Sequence, residues 1–247
     1  MKQWDENETA GDSADELFAR TQLLLGKAAL KRLANARVAV AGAGGVGSFA
    51  IEALVRGGVG SLLLIDNDTV TVSNCNRQLH ATTKTVGQYK TRLMAERARD
   101  INPSVVVETS EAFVLPDNCG EVLRGEFDFI VDAVDTVSAK IALVMTARER
   151  GIPLISVMGT GNKLDPSRFA VRDLFETSGC PLCRVMRREL RKREVDALPV
   201  VCSDELPIAN HRPPGSISFV PPVAGMIAAG YVIRTLVQGC TDEAQGD

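Results

Sequence analysis

The chain has 247 residues, of which 45% are hydrophobic and 24% are charged, so it can bury one substantial core or at most two. Its 28 basic and 31 acidic side chains give a formal net charge of −3, which excludes both a basic-tailed protein and an acidic disordered chain. The six cysteines are too sparse for a secreted disulfide scaffold, and the polar N-terminus has no apolar signal-peptide stretch. We therefore expect a cytoplasmic protein with reduced thiols.

The N-terminal segment and the alternating elements that follow define the predicted organisation. Residues 1–13 are polar and without periodicity, which predicts a disordered tail ahead of a single domain over 14–240. Short β-branched runs then alternate with helix-length segments, with strands near 37–41, 61–65, 105–109, 128–132 and 153–157 and helices near 45–57, 87–101 and 136–150. This alternation predicts an α/β fold with a Rossmann-like, doubly wound, mostly parallel sheet.

The pattern changes after about residue 160. The sequence predicts short strands near 168–172, 199–202 and 216–220, a charged helix over 181–193 and a last helix over 222–238. We expect an antiparallel C-terminal extension of the same sheet, so that 14–160 forms a nucleotide-binding half and 161–240 a substrate-side half. The apolar stretch over 216–239 contains two prolines and an arginine, which favours a buried helix over a membrane span, and no membrane partner is expected.

A glycine-rich loop follows the first predicted strand, where Val38 to Ser48 reads VAVAGAGGVGS. The glycines let the backbone turn tightly and approach a phosphate, while the following helix offers unpaired N–H groups to the anion. The second strand ends in Asp66, where a carboxylate suits a ribose diol. These glycines alone favour a nicotinamide-dependent dehydrogenase over an ATP enzyme.

Polar residues at the ends of the other strands reverse that preference. They are Asp66-Asn67-Asp68, Ser73 to Gln78, Lys90 and Asp132 to Asp135, and in a doubly wound sheet they can meet in one crevice. A hydride-transfer site gains nothing from two cations. An adenylating site needs them, because Arg77, Lys90 and a metal held by Asp135 would offset the charge that builds on the phosphoryl oxygens of ATP.

Seven separated motifs carry a family resemblance. They are Arg20-Thr21, Gly42 to Ser48, Asp66 to Asp68, Ser73 to Gln78, Val86 to Lys90, Ile101-Asn102-Pro103 and Asp132 to Asp135. Over roughly residues 15–160 the chain resembles the ubiquitin-activating-enzyme-like (ThiF/MoeB/HesA) adenylyltransferases. Asn76 to Ala81, the Cys180 to Arg193 helix and Pro199-Val200-Val201 are most similar to the tRNA threonylcarbamoyladenosine dehydratases, and with that branch the resemblance reaches about residue 238.

The resemblance implies a role for each matching residue. It implies that ATP is bound by Gly42, Gly44, Gly45, Gly47, Asp66, Asp68, Asn74, Arg77, Lys90 and Asp135, and that Asp135 holds Mg²⁺. It implies that Arg20, Arg77, Lys90 and Asp135 are catalytic, with Arg20 reaching the nucleotide of a second subunit in a homodimer. The implied reaction is an ATP-dependent dehydration of threonylcarbamoyladenosine next to the tRNA anticodon, through an acyl-adenylate.

The CxxC pair and His80 are interpreted as structural residues without a catalytic or metal-binding role. Cys180 and Cys183 form a single CxxC pair, whereas the sulfur-carrier adenylyltransferases bind structural zinc with two such pairs, so no zinc is expected. No thioredoxin-like context supports a redox role for this pair. His80 is expected to be a hydrogen-bonded structural residue.

The segment from Arg184 to Arg193 holds six basic residues and one acidic residue. At helical spacing, one face carries the four residues Arg184, Arg187, Arg188 and Arg191, while apolar side chains lie opposite. This face is either an ordinary solvated surface or a contact with the phosphates of a tRNA substrate.

Two rival functions stay open on the sequence. One is an adenylyltransferase for the C-terminus of a ubiquitin-like sulfur-carrier protein, which should show a second CxxC pair. The other is a nucleotide-sensing module without chemistry, which would not need Arg20, Arg77, Lys90 and Asp135 together.

Overall fold

A seven-stranded sheet organises the protein, with strand order β3-β2-β1-β4-β5-β7-β6. The computed structural model describes residues 16–209, 211 and 213–240, so the predicted tail over 1–13 lies outside the described residues. The strands are β1 Arg37–Ala41, β2 Ser61–Ile65, β3 Val106–Ser110, β4 Phe129–Asp132, β5 Leu154–Val157, β6 Phe169–Asp173 and β7 Pro199–Ser203. All neighbours are parallel except β6 and β7, which confirms the predicted doubly wound sheet with an antiparallel extension.

Helices cover both faces of this sheet. They are α1 Ala19–Leu25, α2 Lys27–Ala34, α3 Gly47–Gly57, α4 Lys90–Ile101, α5 Cys119–Val122, α6 Val137–Glu149, α7 Pro181–Arg191 and α8 Val220–Leu236. One buried apolar cluster joins the sheet to α3, α4 and α8, and a second joins it to α6 and α7. The inner strands β1, β2, β4, β5 and β7 are mostly apolar and buried because both faces of the sheet are covered.

Close packing of α8 against α3 fixes the start of the glycine-loop helix. A Cβ atom at Gly225 would lie 2.2 Å from the carbonyl oxygen of Val46, so only glycine lets the two helices approach this closely. The residue at the start of α3 is therefore held by the C-terminal helix, far away in the sequence.

The strand predicted over 216–220 is wrong. Residues 216–219 form a loop and a turn, and Val220 begins α8. Pro221 and Pro222 occupy the first turn of that helix, where a missing N–H costs nothing, whereas in a strand each proline would remove a ladder hydrogen bond. In the part of the chain that the structure describes, no helix is both long and apolar enough to cross a bilayer.

Candidate nucleotide-binding site

A cleft of about 660 Å³ opens where β1, β2, β4 and β5 end. Its walls are the glycine loop, the segment from Asp66 to Gln78, the turn that carries Asp135 and the segments 157–161 and 213–216. Ligands of doubly wound sheets bind at this carboxyl edge. The predicted crevice is therefore present, with one wall from each half of the chain.

The glycines of the loop have two different tasks. Gly42 has φ +90° and a Cβ there would lie 2.7 Å from the carbonyl oxygen of Ala133, while a Cβ at Gly47 would lie 1.7 Å from that of Gly42. These two glycines let the loop backbone pack closely against the backbone of Ala133 and of the loop itself. Gly47 is not among the residues that line the cleft. Gly44 and Gly45 line the cleft and can present their backbone to a phosphate.

Asp66 stabilises the glycine loop through hydrogen bonds to backbone N–H groups. Its Oδ2 accepts a hydrogen bond from the backbone N–H of Ala43 at 2.7 Å, and its Oδ1 accepts one from the N–H of Asp68 at 2.8 Å. Burial raises the pKa of Asp66, although the nearby Lys90 opposes this shift. Besides the predicted contact with ribose, the carboxylate thus fixes the shape of the glycine loop.

Two cationic residues line the cleft. Lys90 is buried at the start of α4, and its Nζ pairs with Oδ2 of the exposed Asp68 at 2.6 Å. Arg77 donates from Nη1 to the carbonyl oxygen of Ser73 at 2.8 Å and to Oδ1 of Asn76 at 2.9 Å. Both residues line the cleft, and these contacts hold their side chains in place.

Asn74 lines the cleft but also shapes its own turn. Its Oδ1 accepts a hydrogen bond from the N–H of Thr71 at 3.1 Å in a reciprocal capping box. This buried amide holds the 3₁₀ turn over Val72–Asn74, and the turn in turn positions Arg77.

Asp135 is exposed and lines the cleft. Its Oδ1 receives only a long hydrogen bond from Thr136 Oγ1, at 3.4 Å, so its carboxylate can take a ligand. One carboxylate beside the phosphates of a substrate is a usual donor set for Mg²⁺. Among residues 16–209, 211 and 213–240, no group of three or more Asp, Glu, His or Cys side chains is arranged to hold a metal ion by itself.

A fully buried charge network under the cleft floor was missed by sequence reasoning. Lys140 Nζ lies 3.1 Å from both carboxylate oxygens of Asp132, 3.1 Å from Ser156 Oγ and 2.7 Å from the carbonyl oxygen of Val157. Asp132 also accepts from the N–H of Val134 at 3.3 Å. The network ties the end of β5 to the turn that carries Asp135. A lysine between apolar residues of α6 was the available signal.

Arg20 is not part of this cleft. It lies exposed on α1 and is absent from the residues that line the cleft, whereas Arg77, Lys90 and Asp135 are brought together there. On the same helix, Leu23 and Leu24 are 82% and 83% exposed. Such exposed large apolar side chains are a common mark of a contact surface.

The arginine face of α7 is only partly free. Arg187 donates from Nη1 to the carbonyl oxygen of Thr177 at 2.8 Å and is half-buried. The guanidinium of Arg191 lies 5.4 Å from the ring centre of Phe175, while Arg184 and Arg188 are exposed. Leu182, in the first turn of the same helix, lines the cleft, so the exposed arginines begin next to the cleft.

The cysteines of the CxxC pair are buried in the core beneath α7. Cys180, Cys183 and Cys202 are all buried free thiols. The pKa of Cys180 is raised strongly by its hydrogen bond with Cys183 and by burial. A buried thiol with a raised pKa, such as that of Cys180, is a poor nucleophile.

The prediction that His80 is a hydrogen-bonded structural residue is wrong. The side chain is buried, and both ring nitrogens lack a hydrogen-bond partner among the described residues. Burial, assisted by the charge of Lys90, lowers the pKa of His80 to about 4. The imidazole is therefore neutral at physiological pH.

The fold and the cleft define a nucleotide-binding α/β protein in which a glycine loop, two cations and a carboxylate line one cleft. Residues 18–246 match the ThiF family, and the chain belongs to this family. A curated relative from Bacillus subtilis (strain 168), named tRNA threonylcarbamoyladenosine dehydratase, is 42% identical over 240 residues, which cover 90% of this chain and 94% of the relative. A relative with the same name from Escherichia coli (strain K12) is 42% identical over 180 residues, covering 73% of this chain and 67% of that protein.

Solved structures agree with the sequence relatives. The crystal structure of the E. coli tRNA N6-threonylcarbamoyladenosine dehydratase, TcdA, in complex with ATP superposes with a TM-score of 0.88 at 35% identity. The superposition covers 93% of this chain and 97% of the other. The same protein in complex with AMP matches equally well.

Proposed function

We propose that this protein uses ATP to dehydrate threonylcarbamoyladenosine in tRNA, which cyclises the modification and releases AMP and pyrophosphate. The observation that carries the proposal is the cleft, which is lined by the glycine loop together with Arg77, Lys90 and Asp135. Relatives that share 42% of their residues with this chain, one of them over almost its whole length, bear the name of this dehydratase. We place the reaction in the cytoplasm.

The chemistry begins at the carboxylate of the threonylcarbamoyl group. This carboxylate attacks the α-phosphorus of ATP, pyrophosphate leaves, and an acyl-adenylate forms. Arg77 and Lys90 offset the negative charge that grows on the phosphoryl oxygens. Lys90 is paired with the exposed Asp68 before binding, and an incoming phosphate can replace this partner at little cost because Asp68 is solvated.

The second step needs no group from the protein as a nucleophile. The carbamoyl group attacks the activated carbonyl carbon of its own threonyl moiety, AMP leaves with the former carboxylate oxygen, and a proton is lost. One water is thereby removed from the nucleoside. The buried thiols of Cys180, Cys183 and Cys202 agree with a route that has no covalent enzyme intermediate.

Asp135 would hold Mg²⁺ together with phosphate oxygens of the nucleotide, since its carboxylate is exposed and lines the cleft. When bound, the ion would neutralise phosphate charge and favour departure of pyrophosphate. The position of Asp135 is set by the turn that Asp132 holds through the N–H of Val134.

The proposal includes a homodimer in which Arg20 acts on the nucleotide of the other subunit. Its support is the absence of Arg20 from the cleft of its own chain and the exposed Leu23 and Leu24 beside it. Mixing inactive Arg20→Ala with inactive Lys90→Ala should restore part of the activity after subunit exchange, because one site of each heterodimer then holds both residues. Proven exchange without recovery would show that Arg20 does not act in trans.

We further propose that residues 14–240 form one adenylation domain whose half over 161–240 receives the tRNA. Arg184, Arg188 and Arg191 would contact its phosphates, since they extend along α7 from the cleft mouth at Leu182. Arg187 is instead bonded to the backbone. A ubiquitin-like sulfur carrier is less well supported as substrate, because the sequence has a single CxxC pair and an arginine-rich helix beside the cleft.

Mass spectrometry of nucleosides tests the function directly. Threonylcarbamoylated tRNA incubated with the protein, ATP and Mg²⁺ should lose the mass of one water at the modified nucleoside, with AMP formed in equal amount. Lys90→Ala should lower the rate by about 10²- to 10³-fold, while Lys84→Ala, which removes an exposed lysine outside the cleft, should not. An unchanged nucleoside mass with the folded wild-type protein would contradict the proposal.

A further inference from the structure

Two segments that are far apart in the sequence form the wall of the cleft beyond β5. Residues 157–161 continue from the end of β5, and residues 213–216 belong to the connection between β7 and α8. Neither segment carries a charged side chain, and their only polar side chains are the hydroxyls of Thr160 and Ser216. The charged residues of the cleft lie in its other segments, so this wall is uncharged.

The order of the strands places the uncharged wall away from the nucleotide. In the sheet, β1 and β2 lie on one side of β4 and β5 lies on the other. The glycine loop follows β1 and Asp66 follows β2, so a nucleotide whose phosphate and ribose are bound there extends away from β5. The part of the cleft that is left for an acyl substrate is therefore bordered by 157–161 and 213–216.

Asn162 joins the two segments of this wall. Its backbone N–H donates to the carbonyl oxygen of Gly215 at 2.8 Å, and its Oδ1 accepts from the N–H of Gly215 at 2.7 Å. Asn162 has a φ of +55°, a left-handed conformation that asparagine adopts more readily than most residues. The segments also touch directly, because a Cβ on Gly161 would lie 2.7 Å from Cβ of Pro214. The reciprocal hydrogen bonds thus hold the wall together.

The segment 213–216 is also tied to the side of the cleft that is proposed to bind ATP. Asn76 donates from Nδ2 to the carbonyl oxygen of Ser216 at 3.0 Å, and its Oδ1 accepts from Nη1 of Arg77 at 2.9 Å. The segment is therefore fixed at one end to the neighbour of Arg77 and at the other to Asn162. Its position decides how an acyl group beside β5 lies relative to that arginine.

We propose that Asn162 is a positioning residue for the tRNA substrate, because it holds 213–216 against 157–161 as one neutral pocket for the threonylcarbamoyl group. The inference deepens the proposed function and rests on it. The threonylcarbamoyl group is small and is uncharged apart from the carboxylate that must reach the cations. A wall whose polar side chains are two hydroxyls suits such a group, whereas a cation in this wall would hold the carboxylate away from the α-phosphorus.

Two forms of one tRNA test the inference, one with threonylcarbamoyladenosine and one with unmodified adenosine. We compare their Kd values without ATP, so that no reaction occurs, and the wild type should prefer the modified form. Asn162→Gly permits the same φ but removes the acceptor for the Gly215 N–H. It should weaken the modified form roughly 3- to 10-fold and leave the unmodified form unchanged. Asn162→Asp keeps an acceptor and should retain wild-type affinity for both.

The matched control is Asn102→Gly. Oδ1 of Asn102 likewise accepts a backbone N–H, that of Ser104 at 3.1 Å, in a turn outside the cleft. This variant should lower the thermal midpoint without changing the preference for modified tRNA. Gly161→Ala should act like Asn162→Gly, because the added Cβ would push Pro214 away. Calorimetric AMP affinity should stay at the wild-type level in every variant, which shows that the fold and the nucleotide side are intact.

The outcomes separate this inference from the proposed function. A wild-type preference that survives fully in Asn162→Gly would overturn the inference alone. An equal loss for both tRNA forms, a matching loss of AMP affinity, or an equal loss in Asn162→Asp would also overturn it, because each marks a general structural role. A folded wild-type protein that binds both tRNA forms equally would overturn the inference together with the proposed substrate.

Discussion

The substitution Lys140→Met tests whether the buried network under the cleft holds the site together. Asp132 and Lys140 are both fully buried, and the lysine Nζ lies 3.1 Å from each carboxylate oxygen. Removal of the lysine leaves the carboxylate with only the Ser156 hydroxyl and the 3.3 Å contact from the N–H of Val134. Loss of one partner of a buried pair costs about 3–5 kcal/mol. For a domain of this size we expect the thermal midpoint to fall by roughly 6–20 °C.

Unfolding must be measured by a signal from the secondary structure and not by tryptophan fluorescence. Trp4 is the only tryptophan of the chain and lies outside the described residues, so unfolding in urea is best monitored by far-ultraviolet circular dichroism. The matched control is the double variant Asp132→Asn/Lys140→Met, which removes both charges and should recover a large part of the lost stability.

The same variant should weaken the site as well as the fold. Lys140 contacts both oxygens of the Asp132 carboxylate, which in turn accepts from the N–H of Val134, so without the lysine the turn that carries Asp135 is held less firmly. We expect a higher Mg²⁺ concentration for half-maximal AMP formation in any Lys140→Met protein that is still folded. A cost below about 1 kcal/mol for the single variant, or no recovery in the double variant, would refute the reasoning.

Three further predictions concern the loop, a buried histidine and the arginine helix. Gly44→Ala should fold normally yet bind ATP poorly. Gly47→Ala should fail to fold, because the added Cβ would lie 1.7 Å from the carbonyl oxygen of Gly42. Normal ATP binding by Gly44→Ala would contradict the proposed role of the loop. Folded His80 has a pKa of about 4 against 6.5 in the unfolded chain, so only the unfolded state takes up this proton as the pH falls through that window. Stability should therefore decline below pH 6.5 by up to about 1.4 kcal/mol per pH unit, and urea unfolding at pH 7 and pH 5 should show a smaller decline in His80→Gln. Arg188→Gln should lower the salt dependence of tRNA binding by roughly 0.7–0.9 in log–log slope, while Arg187→Gln should leave that slope unchanged and lower the unfolding midpoint.

Local sequence determined the strands, the glycine loop and the polar residues at the strand ends. Apolar runs of four to five residues can bury both faces only inside a sheet covered by helices, and that condition is met for β1, β2, β4 and β5, whereas the edge strand β3 is largely exposed. The positions of Asp66, Lys90 and Asp135 at the cleft follow from the same rule, because the carboxyl ends of parallel strands share one edge. The ends of these elements differ from prediction where a local turn intervenes, as at Gly87, whose φ of +88° delays α4 to Lys90.

Only the tertiary structure decided which polar groups are satisfied and by what. In the sequence, Lys140 is a single charged residue on a predicted helix. In the fold, β4 and β5 place Asp132 and Ser156 within hydrogen-bond distance of it. Arg187 belongs by spacing to the arginine face, yet it donates to the carbonyl oxygen of Thr177, the residue that directly follows the 3₁₀ turn Leu174–Glu176. Both partnerships join residues that are distant along the chain or lie in different elements. Helical or strand periodicity describes a single element, so it cannot specify which polar group on a neighbouring element will form a hydrogen bond with it.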